Sequence, residues 1–319
     1  MKKLRPLLTI LLALVFVGAA ARAVWQYVQY RQGDEIYAQA EELVELPVFD
    51  QFPVIQPVEP SPGASSSQPS SSGQSEPVPP PVYVDPYADA LAAMDFTALR
   101  EVNDDILGWI LVPNTRLSYP LVQGEDNDYY LNRTWRKSRN SVGAIFMEHL
   151  NNPDLSDFNT IIYGHRMNNK SMFGTLKYYK DLSYWQKHPI LYITDDNGSH
   201  KYEIFAAYEV SVEGDTYLLG FPSDDHKQSF IDFCLDQSGI DTGVVPTVYD
   251  RILTLSTCTG NGHATRWVVQ ARLKGEVPPH PEVPPVETPP VEPPVEPPPS
   301  EMPVESPPSQ DIIPRTDKE

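Results

Sequence analysis

The stretch RILTLSTCTGNGHATR, Arg251 to Arg266, decides how this chain is read. Its inner string Thr254-Leu255-Ser256-Thr257-Cys258 reads as a buried strand that ends on a thiol. A short turn follows, Thr259-Gly260-Asn261-Gly262-His263-Ala264-Thr265, rich in glycine and asparagine as a hairpin loop should be. A second strand then opens on Arg266. Side chains on a strand alternate faces. Leu253, Leu255 and Thr257 share one face of the first strand, and Thr254, Ser256 and Cys258 share the other. In the second strand Trp267, Val269, Ala271 and Leu273 form the apolar face, opposite Arg266, Val268, Gln270 and Arg272. If both apolar faces point to the core, Cys258 and Arg266 emerge side by side at the open end of one hairpin.

A histidine closes a second apolar run upstream, Ile161-Ile162-Tyr163-Gly164-His165-Arg166. Cysteine, histidine and arginine at strand ends are the parts of a thiol acyl-transfer site. A thiolate attacks an amide carbonyl far better than a thiol does. A histidine can protonate the leaving amine and later deprotonate an incoming one. A guanidinium stays charged and can donate to the oxyanion of the tetrahedral intermediate. Each group alone has a plainer explanation. A strand-end cysteine is most often core, His165 could be a loop histidine, and Arg266 a solvated charge. His149, His188, His200, His226, His263 and His280 are other possible partners, and His263 sits at the tip of the turn. Cys258 and His263 offer two ligands at no recognised zinc spacing, so no metal is expected.

Composition sets the limits of the folded part. The chain has 319 residues and 34 prolines, eleven between Pro47 and Pro86 and sixteen after Gly275. Proline cannot donate to a ladder, so these segments read as extended linker and tail. The expected organisation is an N-terminal segment 1–30, a Pro/Ser-rich linker 31–85, a catalytic domain 86–275 and an acidic Pro-rich tail 276–319. The N-terminus is Met-Lys-Lys-Leu-Arg followed by an apolar run from Leu7 to Ala21. Positive charge ahead of apolar residues argues for export or anchoring with the N-terminus inside. Ala21-Arg22-Ala23 could be a cleavage site. Alternatively the helix continues through Val28 to bilayer length, with Trp25, Tyr27 and Tyr30 at the interface; the retained anchor is favoured. The net charge of −19, without basic clusters, argues against nucleic acid. Cys234, in the helically spaced string Phe230-Ile231-Asp232-Phe233-Cys234-Leu235, suits a core face better than a disulfide with Cys258.

Within the domain, Pro86–Val102 reads as a helix. Eight β-like runs follow: 108–112, 117–122, 144–148, 160–163, 190–194, 202–212, 251–258 and 266–273. Helical stretches at 172–182 and about 225–236 interrupt them. Many short strands and few helices argue for an antiparallel or mixed β-barrel.

These strings together resemble the sortases, the membrane-anchored transpeptidases of Gram-positive surfaces, and class B most closely. The resemblance covers about Tyr87 to Leu273. It rests on Asn103-Asp104-Asp105-Ile106-Leu107-Gly108-Trp109-Ile110, Asp126-Asn127-Asp128-Tyr129-Tyr130-Leu131, Gly143-Ala144-Ile145-Phe146, Tyr163-Gly164-His165-Arg166-Met167, Ser171-Met172-Phe173-Gly174-Thr175-Leu176 and the Cys258 string with Arg266. The resemblance implies a mainly β fold, an eight-stranded sortase-type barrel with N-terminal helices and a helix in the long connection before the Cys258 strand. It implies that His165, Cys258 and Arg266 carry catalysis and that Asn127, Leu131 and Ser256 line a groove for a sorting peptide. The connection from about Glu213 to Tyr249 would wall that groove, with Thr216 and Tyr217 as secondary candidates for substrate contact. The turn from Cys258 to Arg266 is shorter than the class B pattern, and the tail lies outside it.

The expected function is therefore a cysteine transpeptidase that needs no cofactor. Its partners would be exported surface proteins bearing a C-terminal sorting motif, and the amine of a lipid-linked peptidoglycan precursor. A pilin lysine as acceptor is the nearest alternative. A cysteine hydrolase of papain-like kind is disfavoured because His165 precedes Cys258. A non-catalytic wall-associated scaffold is the remaining alternative.

Overall fold

The structure, a computed structural model, describes residues 4–46, 85–259 and 264–275. The Pro-rich linker from 47, the tail from 276 and the tip of the hairpin at 260–263, His263 included, lie outside the described residues.

Eight strands form a closed barrel in the order β1-β2-β3-β4-β7-β8-β6-β5. They are β1 (Ile106–Leu111), β2 (Ser118–Val122), β3 (Ile145–Met147), β4 (Asn159–Tyr163), β5 (Ile190–Asp195), β6 (Gly198–Ser211), β7 (Ile252–Cys258) and β8 (Thr265–Leu273). Every strand expected from the sequence is present, with ends shifted by a few residues. Two neighbouring pairs, β2 with β3 and β4 with β7, are parallel, and the rest are antiparallel. The alternation read from the hairpin holds. Leu253, Leu255, Val269 and Ala271 lie in the main core, whereas Ile252 and Val268 lie in a second cluster on the outer face with Phe230 and Cys234. That second cluster is closed by α5 (Asp224–Gln237), whose N-terminus is capped by the Ser223 hydroxyl.

Three helical expectations are corrected. The single helix over Pro86–Val102 is two, α2 (Pro86–Ala92) and α3 (Thr97–Val102). Asp95 accepts the Thr97 amide and starts a new helix, and the break lets Phe96 enter the core beside Leu91 and Leu99. The stretch after the histidine is a 3-10 helix, Phe173–Lys180, followed by one α-turn, α4 (Leu182–Trp185). Phe173, Leu176 and Tyr179 are spaced by three, the 3-10 period, and all three are buried.

The third correction concerns the N-terminal boundary. Helix α1 runs unbroken from Leu4 to Leu43, so residues 31–43 are not extended linker. Gly33, Tyr37 and Ala40 form a buried stripe at helical spacing, continued just past the helix by Val44. The Tyr37 hydroxyl donates to the Gly143 carbonyl at 2.6 Å, and the Trp135 indole donates to the Ile36 carbonyl at 3.0 Å. The Asn140 and Ser141 N–H groups bond Gln29 at 3.1 and 3.2 Å. From Thr9 to Trp25 α1 is exposed and largely apolar, with Leu14 and Phe16 at its surface. It is long and apolar enough to cross a membrane and is a candidate anchor.

Candidate active site

Strand pairing brings the three predicted groups together. In the parallel β4–β7 pair, Tyr163 lies opposite Ser256, and the Gly164 amide donates to the Ser256 carbonyl at 3.2 Å. Two residues further along each chain, His165 and Cys258 leave the same edge of the barrel. In the antiparallel β7–β8 pair Cys258 lies directly opposite Arg266. The short turn between them does not prevent convergence, because the ladder itself sets that register.

Two glycines allow close packing around His165, Gly164 against the core beneath it and Gly143 against the imidazole itself. A side chain at Gly164 would strike Ile145 and Phe173 at under 3 Å. Gly143, at φ +63°, passes so close to His165 that a Cβ there would lie 2.9 Å from the ring. His165 Nε2 lies 2.6 Å from the Leu131 carbonyl. A carbonyl only accepts, so Nε2 carries a proton and Nδ1 is left to exchange one with a partner.

The electrostatics point the same way. His165 and Cys258 are hydrogen-bond partners, and each shifts the other. The bond to His165 lowers the Cys258 pKa, helped by the nearby charges of Arg266 and Arg166 and opposed by burial. The bond to Cys258 raises the His165 pKa against its own desolvation, with the Leu131 carbonyl adding to the rise. Both shifts favour thiolate and imidazolium, the reactive ion pair. The Arg266 guanidinium also donates to the Thr265 carbonyl at 3.0 Å.

Asn127, Leu131, Phe146, Tyr163, His165, Ser256, Thr257, Cys258 and Arg266 share one pocket of about 220 Å³. The predicted groove residues Asn127, Leu131 and Ser256 are thus placed with the three central groups. Tyr217 reaches the same region from a 3-10 turn (Asp215–Tyr217). Its hydroxyl lies 2.9 Å from Ser256 Oγ and its ring stacks on Tyr163. Thr216 points the other way. It is fully buried and bonded to the Tyr208 hydroxyl at 3.0 Å under α5. Of the long connection, the part that meets the site is Tyr217, while α5 covers the outer face of the barrel.

Sequence reasoning missed the Leu131 carbonyl, which no side-chain pattern reveals. It also missed Thr257, which borders the pocket and whose buried hydroxyl has no hydrogen-bond partner among the described residues. Glu148 was overlooked too. It ends the apolar run Ile145-Phe146-Met147, as His165 and Cys258 end theirs, so the signal was there to find.

The chain is 36% identical to sortase B of Staphylococcus aureus over 163 residues, which is 51% of this chain and 67% of the relative. It is 33% identical to sortase B of Listeria monocytogenes over 177 residues, 55% of this chain and 72% of that one. A solved Staphylococcus aureus sortase B–substrate complex superposes with a TM-score of 0.53 at 35% identity, covering 56% of this chain and 83% of the other. The family model of the sortase domain matches residues 110–274, and the chain belongs to the sortase family, the cysteine transpeptidases.

Proposed function

We propose that this chain cleaves a C-terminal sorting motif of exported proteins and transfers the acyl group to an amine of a lipid-linked cell-wall precursor. Cys258 is the nucleophile, His165 the acid and base, and Arg266 the oxyanion or substrate clamp. The observation that carries this reading is the convergence of the three groups on one pocket with opposed pKa shifts in thiol and imidazole.

The Cys258 thiolate adds to the scissile carbonyl, and the oxyanion faces the Arg266 guanidinium. Protonated His165 delivers its Nδ1 proton to the departing amine, and a thioester remains. An incoming amine then loses a proton to His165 as it attacks, which releases the thiolate. Asn127, Leu131 and Ser256 hold the peptide in the groove.

Residues 1–30 would anchor the enzyme in the membrane with the domain 86–275 outside the cell, and the tail 276–319 would be a solvated spacer in the wall. Because α1 continues from the apolar segment into its docked half, the anchor and the barrel share one helix. The test is to incubate the full chain with candidate sorting peptides and an amine and to follow transfer product by mass. Product from the wild-type chain and none from Cys258→Ala is expected. Turnover by Cys258→Ala, or no product with any peptide, contradicts the reading. A pilin lysine that outcompetes wall-peptide amines would move the assignment to pilin polymerisation.

A further inference from the structure

Beneath the groove lies a carboxylate that the transfer chemistry does not use. Glu148 directly follows β3 and is only 6% exposed. Four donors converge on it. Asn127 Nδ2 donates to Oε2 at 2.6 Å, and the Tyr163 hydroxyl donates to the same oxygen at 2.9 Å. His149 Nδ1 lies 2.8 Å from Oε1, and the Leu150 amide donates to Oε1 at 3.3 Å. Two of these partners, Asn127 and Tyr163, line the pocket that holds Cys258. A buried carboxylate is stable only when its lone pairs are filled, and here the filling fixes two groove side chains.

The consequence is sharpest at Asn127. A carboxamide can flip, exchanging a donor for an acceptor. Here both ends are dictated. The His149 backbone N–H can only donate, and it meets Asn127 Oδ1 at 3.0 Å. The Glu148 carboxylate accepts, so Nδ2 must face it. The oxygen is therefore engaged with His149 and one amide hydrogen with Glu148, and the hydrogen left for the groove belongs to Nδ2. Tyr163 is held as a donor as well: burial, reinforced by the Glu148 charge, raises its pKa and keeps the hydroxyl protonated.

We propose that Glu148 is a positioning residue that locks the Asn127 carboxamide with an N–H toward the groove, so that the peptide is received there through a hydrogen-bond acceptor, a backbone or side-chain carbonyl. This rests on the transpeptidase reading of the same pocket.

The test uses the full chain, the acyl-donor peptide that acylates the wild type fastest, and iodoacetamide as a peptide-free probe of Cys258. Glu148→Gln removes an acceptor and offers Asn127 a competing N–H. It and Asn127→Ala should each lower kcat/KM roughly ten- to hundredfold, mainly through KM, as expected for a lost charge-assisted hydrogen bond. The double variant should be no worse than the poorer single one. The pH profile of Cys258 alkylation should not move in any of them. Asn127→Asp leaves Glu148 intact but sets two carboxylates face to face, and it should fall below Asn127→Ala. Losses that multiply in the double variant, an altered alkylation profile, or Asn127→Asp equal to Asn127→Ala would overturn the proposal. If the wild type acylates with no peptide, the transpeptidase reading fails first and this falls with it. A working wild type matched by its variants removes this inference alone.

Discussion

Cys258 and Cys234 are both free thiols, placed on opposite sides of the same functional divide. Cys234 is fully buried on α5, packed with Phe230 and Val268 and within 3.6 Å of the Tyr208 hydroxyl. Burial pushes its pKa up to about 11. Cys258 is half-buried at the rim of the pocket, and His165 with Arg266 pulls its pKa down. The difference teaches that the acidity of a thiol in this chain is set by what stands beside it, neighbouring strand ends for one and a buried cluster for the other. Adjacent strand ends supply an imidazole and a guanidinium to one sulfur. The cluster under α5 supplies aromatic rings and a phenol to the other.

The comparison can be broken at several points. Cys258→Ala should abolish acyl-enzyme formation outright, seen by intact mass. His165→Gln should cost between about a hundredfold and ten-thousandfold in turnover, and it should return Cys258 alkylation toward the ordinary thiol range. Arg266→Lys keeps the charge but loses the planar fork, and about a hundredfold in kcat is expected. Tyr217→Phe removes the bond to Ser256 and should change kcat/KM only a few-fold, an effect of about 1 kcal/mol. Cys234→Ala should leave turnover unchanged and lower unfolding stability by roughly 1–2 kcal/mol, measured by chemical denaturation.

The pH dependence follows from the directions of the two shifts. On the acid side activity rises as Cys258 ionises, and because its pKa is lowered that limb lies below the ordinary thiol range. On the alkaline side activity falls as His165 loses its proton, and because its pKa is raised that limb lies above the ordinary imidazole range. The profile of kcat/KM should be a bell whose limbs belong to the coupled pair.

How much of this was legible in the sequence differs by element. The strands were, because period-2 alternation is local, and so was the Cys258–Arg266 pairing, which a hairpin imposes. His165 could be named but not placed: its position depends on β4 lying parallel to β7, a contact across nearly a hundred residues that no local pattern encodes. The 3-10 helix was misread because a spacing of three inside a longer apolar stretch mimics an α-helical face. The docked half of α1 was assigned to linker because proline density drew the boundary, although Gly33, Tyr37 and Ala40 already marked a buried stripe. Thr216 and Tyr217 are adjacent in sequence, yet one serves the cluster under α5 and the other the groove.

The most direct measurement is alkylation of both cysteines in the same native molecule as a function of pH, with each site read by peptide mass. The account predicts that Cys258 is modified with an apparent pKa below the ordinary thiol range, while Cys234 stays protected until the chain unfolds. Equal rates at the two sites, or a Cys258 that titrates as an ordinary thiol, would contradict it.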